Sequence, residues 1–264
     1  MPFYKVNSLK FYRFNLLDQG CVEHGIFTRY GGVSPEPWDS LNVGGTVGDD
    51  PERVLENRRR MFQALGCDPD RIYDVWQVHE AEVVCTVEPR FANTPHKRAD
   101  AILTDRPGVH LLMRFADCVP IMLFDPAKRV IGLVHAGWKG TIKKTVNAAI
   151  QNMKEVYYTD PQDILAGIGP SIGPDHYQVG EQVSDQVRQA FGSDANSLLL
   201  SSNSGVNFDL WAANTLLLQE VGIRQIELAG LCTACHVSDW FSHRQEMGKT
   251  GRFGAIISLR SRSQ

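Results

Sequence analysis

Residue types able to hold a soft divalent metal recur in distinctive surroundings along this 264-residue chain. Cys118 sits in Ala116-Asp117-Cys118-Val119-Pro120, a turn between two apolar runs and beside a carboxylate. His135 ends the next apolar run, in Val134-His135-Ala136-Gly137-Trp138-Lys139-Gly140, where small neighbours leave room around its ring. His79 stands in Trp76-Gln77-Val78-His79-Glu80. Taken singly, a free Cys is most often a small buried hydrophobe, and a lone His a hydrogen-bonded core residue. Taken together, one thiolate and two imidazoles make a tetrahedral zinc set with one position open, the pattern of catalytic rather than closed structural sites. A thiolate beside an imidazole has a second use, as a nucleophile with its base. Asp100 and Asp117 are the carboxylates expected to orient the imidazoles, with Gln77 in the same supporting layer. The three ligands lie 39 and 17 residues apart, so only the fold can bring them together.

Other motifs narrow the chemistry. The chain has no G-x-x-x-x-G-K-[ST], and Gly167-Ile168-Gly169-Pro170-Ser171-Ile172 places Ile where a dinucleotide fingerprint needs its third Gly. Nucleoside triphosphates and NAD are therefore not expected. Single cations stand in glycine- or turn-rich surroundings at Arg29, Lys139, Arg244 and Arg252. Each could be a solvated surface residue, or could hold a small anion. Cys232-Thr233-Ala234-Cys235-His236 has the form of a haem-attachment motif. Haem attachment requires export, and a second C-x-x-C to complete a zinc site is missing, so these residues are expected to be structural.

The elements that must position the site follow from periodicity. Gly25 to Gly48 is rich in Gly, Pro, Ser and Asn and reads as a long irregular segment. Asp49-Asp50-Pro51 is a helix start leading into Val54 to Leu65. Residues 82–87, 109–115, 120–124 and 130–135 read as strands, and the apolar spacing of 142–156 as a helix. A strand at 163–168, helices at 181–191 and 208–221, and strands at 225–231 and 255–259 complete the pattern. Strand clusters followed by helices, without strict alternation, imply an α+β fold. With no repeat or linker, residues 1–264 read as a single layered domain.

Composition sets outer limits. Hydrophobic residues make up 43% and charged residues 22%, with a formal net charge of -3. That balance gives no electrostatic footing on nucleic acid or anionic lipid. The longest apolar runs are too short to span a bilayer. No signal-like N-terminus is present, and six scattered cysteines fit a reducing compartment, so a cytoplasmic location is expected.

The same segments resemble the laccase-domain (YfiH-like) family over nearly the whole chain. The resemblance rests on His24-Gly25-Ile26-Phe27-Thr28-Arg29-Tyr30-Gly31-Gly32, Ser40-Leu41-Asn42, Glu56-Asn57-Arg58, Gln77-Val78-His79, Ala99-Asp100-Ala101 and the strings around Cys118 and His135. It continues through Gly167-Ile168-Gly169-Pro170, Cys232-Thr233, Ser242-His243-Arg244 and Thr250-Gly251-Arg252. It implies a layered α+β fold of mixed β-sheets flanked by helices, with zinc on His79, Cys118 and His135 as the catalytic centre. It also implies phosphorolysis of adenosine, inosine and S-methyl-5'-thioadenosine, with adenosine deamination as a second activity. Purine nucleosides and phosphate are then the partners, held by Arg29, Asn42, Trp138, Lys139, Arg244 and Arg252, with Trp138 or Phe241 stacking on the purine. His243 and Lys139 depart from the family's usual Tyr and Arg. Copper is the alternative metal, from the family's older polyphenol-oxidase label. That label predicts His-rich copper sites, whereas the chain has eight His and no H-x-H pair. A hydrolase editing peptidoglycan precursors, built on Cys118 and His135, and a non-catalytic zinc-stabilised module are the other readings.

Overall fold

Residues 119–125 and 130–136 are buried without exception. Such runs cannot belong to a sheet with one wet face, so both faces of these strands must be covered. The computed structural model, which describes residues 2–91, 93–202 and 205–261, shows how. One sheet runs in the order β1 (Phe3–Val6), β2 (Leu9–Tyr12), β3 (Val22–Phe27), β15 (Phe253–Leu259), β7 (His110–Phe115), β4 (Ile72–Asp74). The other runs β14 (Gln225–Leu228), β10 (Leu165–Ile168), β8 (Val119–Asp125), β9 (Val130–Ala136), β6 (Ala101–Thr104), β5 (Val83–Cys85). A small third sheet holds β11 (Gln178–Val179), β13 (Gly205–Phe208) and β12 (Leu199–Ser202). The helices are α1 (Pro51–Ala64), α2 (Trp138–Ile142), α3 (Thr145–Tyr157), α4 (Glu181–Phe191), α5 (Ala195–Leu198) and α6 (Leu210–Glu220). Both large sheets are mixed, with β4–β7, β5–β6 and β10–β14 parallel.

Strand alternation assigns each residue its layer. Met122 and Phe124 of β8 and Ile131 and Leu133 of β9 meet Leu111, Met113 and Phe115 of β7 and Ala255 and Ile257 of β15 between the sheets. Their neighbours Ile121, Leu123, Val134 and Ala136 point the other way, onto Val146, Ala149, Ile150 and Met153 of α3 and Leu217 of α6. Met61 and Phe62 of α1 cover the outer face of the first sheet against Leu112 and Ile256. Each of these large side chains contributes roughly 1.5–3 kcal/mol when fully buried. The layers are thus helix, sheet, sheet, helices, an α+β arrangement as the sequence implied.

The structure corrects several boundaries. Gly25 lies inside β3, so the irregular segment begins at Thr28. The helix expected over 142–156 is two: α2 ends at Ile142, Lys144 is left-handed at φ 56°, and α3 restarts at Thr145. The start of the strand expected at 163 belongs to a short 3-10 turn, Pro161–Asp163. Strands β1, β2, β4, β6 and β11 to β13, none longer than four residues, gave too short a run for periodicity to register.

Candidate metal centre and substrate cavity

Two facts of register bring Cys118 and His135 together. β8 and β9 are antiparallel with Pro120 opposite His135, so the start of one strand adjoins the end of the other. Cys118, one residue before β8, then shares with His135 the face that looks between the sheets. His79 arrives from a different direction, on the crossover from β4 of the first sheet to β5 of the second. Its backbone is left-handed, φ 61°, a conformation that disfavours a residue with a Cβ. The ligand atoms of His79, Cys118 and His135 lie within 4.8 Å of one another.

Asp100 holds this arrangement. Its Oδ1 accepts from His135 Nδ1 at 2.8 Å, which turns Nε2 toward the other donors. Its Oδ2 accepts the N–H of Val78 at 3.1 Å and of Glu80 at 2.8 Å, clamping the crossover on either side of His79. One fully buried carboxylate therefore orients an imidazole and offsets the backbone cost at its neighbour. Burial works against charge on the Cys118 thiol, but His135 and then His79 outweigh it and bring the thiol down to about 6. Burial likewise opposes charge on His135, yet the Cys118 thiolate and Asp100 push it up to about 9. Without metal the pair is thus a thiolate beside an imidazolium, and a zinc-like cation fits the same donors by taking the place of the His135 proton. Gly137 is required by proximity: a Cβ there would stand 2.7 Å from Cys118 Sγ.

These donors open into a cavity of about 600 Å³. Its wall includes Gly44, Gly45 and Thr46 from the irregular segment, Trp76 and Gln77 from the crossover, and Arg58, His96, Arg114, His243 and Arg252. The basic wall is organised around Asp74 at the end of β4. Asp74 receives Arg90 at 2.8 Å and Arg114 at 3.1 Å, with Arg58 at 3.9 Å and His96 at 3.1 Å. Burial would raise its carboxyl, but His96, Arg114 and Arg58 hold it well below the usual carboxylate range. Three guanidiniums against one carboxylate leave two positive charges uncompensated in that cluster. Burial and the neighbouring Arg114 lower Arg58 to about 10, still protonated near neutrality.

The residues expected from sequence to bind substrate divide sharply. Arg252 and Gln77 line the cavity, the latter bonded to Arg114 through both its amide atoms. Arg29 lies outside the lining; its guanidinium bonds Asp39, the Val237 carbonyl and Glu246, and stacks 4.5 Å over buried Phe241. Asn42 is fully buried and braces its own loop, bonding Gly44, Asp49 and Arg252 N–H. Trp138 packs on the helix-side core, exposed Lys139 sits 5.6 Å from its ring, and Arg244 bonds the Gln178 carbonyl over Tyr177. Asp117 does not orient an imidazole: its carboxylate accepts Thr233 Oγ1 and the Arg244 N–H, both at 2.7 Å. Sequence reasoning assigned no role to Arg58, Arg114, His96 or Trp76. The available signal was Arg114, a charge inside an otherwise apolar strand, which a buried strand keeps only with a partner.

Comparison with known proteins places this site in context. Residues 23–260 match the family model described as multi-copper polyphenol oxidoreductase laccase. The chain belongs to this family. A purine nucleoside phosphorylase of Deinococcus radiodurans is 37% identical over 90% of both chains. Purine nucleoside phosphorylase YlmD of Bacillus subtilis is 35% identical, over 89% of this chain and 88% of its own. Among solved structures, YlmD from Geobacillus stearothermophilus superposes with a TM-score of 0.91 at 32% identity, covering 98% of this chain and 99% of that one. The hypothetical protein YfiH of Bacillus licheniformis does so with a TM-score of 0.91 at 33% identity and the same coverage. The fold and its family are those the sequence resemblance implied. Among the described residues, no helix is long and apolar enough to cross a membrane.

Proposed function

We propose that the chain is a cytoplasmic, zinc-dependent purine nucleoside phosphorylase acting on adenosine, inosine and S-methyl-5'-thioadenosine, with adenosine deamination as a second activity. The observation that carries the reading is one cavity with two unlike ends: the His79–Cys118–His135 donors, and the cationic wall of Arg58, Arg114 and Arg252. Phosphorolysis needs a phosphate oxygen to attack the ribose anomeric carbon while the glycosidic C–N bond breaks and the base departs. Guanidiniums suit the phosphate, because they present paired donors and remain charged. The cations expected from sequence are replaced in this role by Arg58 and Arg114, with Arg252 retained. Trp76, half exposed in the cavity wall, offers an aromatic face to the purine in place of Trp138 or Phe241. His96 is tied to Asp74, which leaves His243 as the cavity imidazole to supply a proton to the departing base at N7. Asp100 keeps His135 and the His79 crossover in place throughout. A zinc ion on His79, Cys118 and His135 would supply Lewis-acid chemistry and water activation.

The test is zinc content together with chromatographic assay of the three nucleosides incubated with phosphate. About one catalytic zinc per chain and phosphate-dependent release of free base, abolished in His79→Ala and Cys118→Ala, support the reading. Arg114→Met should raise the KM for phosphate by about tenfold or more, the value of one lost charged hydrogen bond. Folded, zinc-loaded protein that releases no base would sink it. The lowered Cys118 thiol beside His135 favours a cysteine hydrolase as the second reading. That reading requires turnover by metal-stripped enzyme and its loss on alkylating Cys118.

A further inference from the structure

The C-x-x-C stretch expected to be merely structural meets two donors that are distant in sequence. Asp175 and His176, on the loop after β10, join Cys232 and Cys235, and the four ligand atoms lie within 4.8 Å of one another. We propose that these four residues form a second metal site, a closed zinc centre separate from His79, Cys118 and His135.

The spacing is that of a tetrahedral centre. Zn–S bonds of about 2.3 Å and Zn–N or Zn–O bonds of about 2.0 Å at tetrahedral angles put neighbouring donors about 3.3–3.8 Å apart. Cys235 Sγ stands 3.4 Å from His176 Nδ1 and 3.4 Å from Asp175 Oδ2, and Cys232 Sγ stands 3.9 Å from the same Nδ1. Asp175 and His176 are closer, at 2.9 Å, as a hydrogen-bonded pair is, and need to part by only a few tenths of an ångström. A second observation is independent of these distances. The Gly173 N–H donates to Cys232 Sγ at 3.1 Å, the support a thiolate ligand receives from backbone. A Cβ on Gly173 would stand 2.7 Å from Asp175 Oδ1 and 3.1 Å from Cys232 Cβ, so glycine is what lets the two segments close.

The donor set decides the metal and the role. Two thiols with an imidazole and a carboxylate select zinc over hard cations such as magnesium or calcium. Four protein ligands leave no open position, so the centre staples rather than catalyses. What it staples matters to the first site. Thr233, between the two cysteines, donates to Asp117, the residue before Cys118.

The experiment adds zinc alone to metal-free protein and counts bound equivalents by native mass spectrometry. A His79→Ala/Cys118→Ala background isolates the second cluster, so its result does not depend on whether the first site binds metal. One equivalent is expected there, and none once Cys235→Ser is added. Cobalt in the same background should give a thiolate charge-transfer band that Cys235→Ser removes. Cys235 and His176 are exposed, so their substitution leaves the core intact. If the background variant fails to fold, Cys235→Ser and His176→Ala in the otherwise unaltered chain should each lose one equivalent. No zinc in the folded background, zinc unaffected by Cys235→Ser, or a Cys232–Cys235 disulfide that excludes metal from protein purified under air would each overturn the proposal.

Discussion

Replacing Gly137 by alanine should cripple the metal centre without unfolding the protein. Gly137 caps α2 at φ -74°, a conformation alanine adopts freely, so the substitution adds only a methyl group. That methyl would stand 2.7 Å from Cys118 Sγ and 3.5 Å from His79 Cδ2. Ordinary contact between carbon atoms begins near 3.5 Å, and sulfur is larger, so the thiol must retreat by about 1 Å. The backbone cannot follow it, because Asp117 is pinned by Thr233 and by the Arg244 N–H. Metal sites tolerate ligand displacements of only about 0.2 Å. Zinc affinity should therefore fall by about 100-fold, or about 2.7 kcal/mol, with activity at limiting zinc falling in step. Competition against a chromophoric chelator, in a Cys235→Ser background that removes the second donor cluster, reads the affinity directly. Gly180→Ala is the control, since Gly180 also caps a helix and a Cβ there meets nothing within 4 Å. Zinc binding and turnover in Gly137→Ala within threefold of the parent would refute the steric argument and the ligand role of Cys118 with it.

Two further outcomes follow from the buried polar groups. Asp100→Asn keeps the shape but removes the charge that serves His135 and the Val78 and Glu80 N–H groups; zinc affinity should drop about 10- to 100-fold. An unchanged affinity in the same competition assay would show that His135 needs no orienting partner. Acid should destabilise the fold through His24 and His110, which burial lowers to about 3 and about 4. Each accepts a backbone N–H at Nε2, from Phe14 and Asp68 respectively, and so is held neutral. Because the unfolded imidazole takes up its proton near pH 6.5 and the folded one does not, stability is full above that value and falls as the pH drops toward 4. At pH 5 the loss is about 2 kcal/mol for each histidine. Urea midpoints at pH 7 and 5 test this, and His110→Gln should lose less over the interval than the parent; equal losses would remove His110 from the account.

How much of this was legible in the sequence depended on range. The fully buried runs around Phe124 and Val134 and the amphipathic stripe of Val146, Ala149, Ile150 and Met153 announce themselves locally, because burial on both faces or on one helical face leaves a periodic trace. The edge strands β1, β4 and β11 leave none, being two to four residues long and held by pairing rather than by pattern. Lys144 in its left-handed turn is invisible for another reason: no glycine marks the break between α2 and α3. The metal donors were legible as chemistry, since Cys and His types restrict what can be made of them. The anion wall was legible only in Arg114, a charge in an apolar strand, because Arg58 looks ordinary until Asp74 is found buried between the two. Arg29 misled for the converse reason: a glycine-rich setting suggested an open anion site, whereas its guanidinium ties the irregular segment to Val237 and Glu246.

The same contrast explains why the site sits where it does. Cys118 and His135 belong to one hairpin and would be adjacent in the second sheet alone. His79 would not, because its crossover leaves the first sheet at β4 and joins the second at β5, with Asp100 gripping the N–H groups on either side of it. The third ligand is therefore in place only when the two sheets are docked through Met122, Leu133, Met113 and Ile257. The anion wall, by contrast, belongs to the first sheet: Asp74 ends β4, Arg114 lies in β7, Arg252 precedes β15 and Arg58 comes from α1 on the outer face. The cavity therefore has its two unlike ends only when the sheets are docked, which is why residues 39 and 17 positions apart had to be read as a set before any one of them carried meaning.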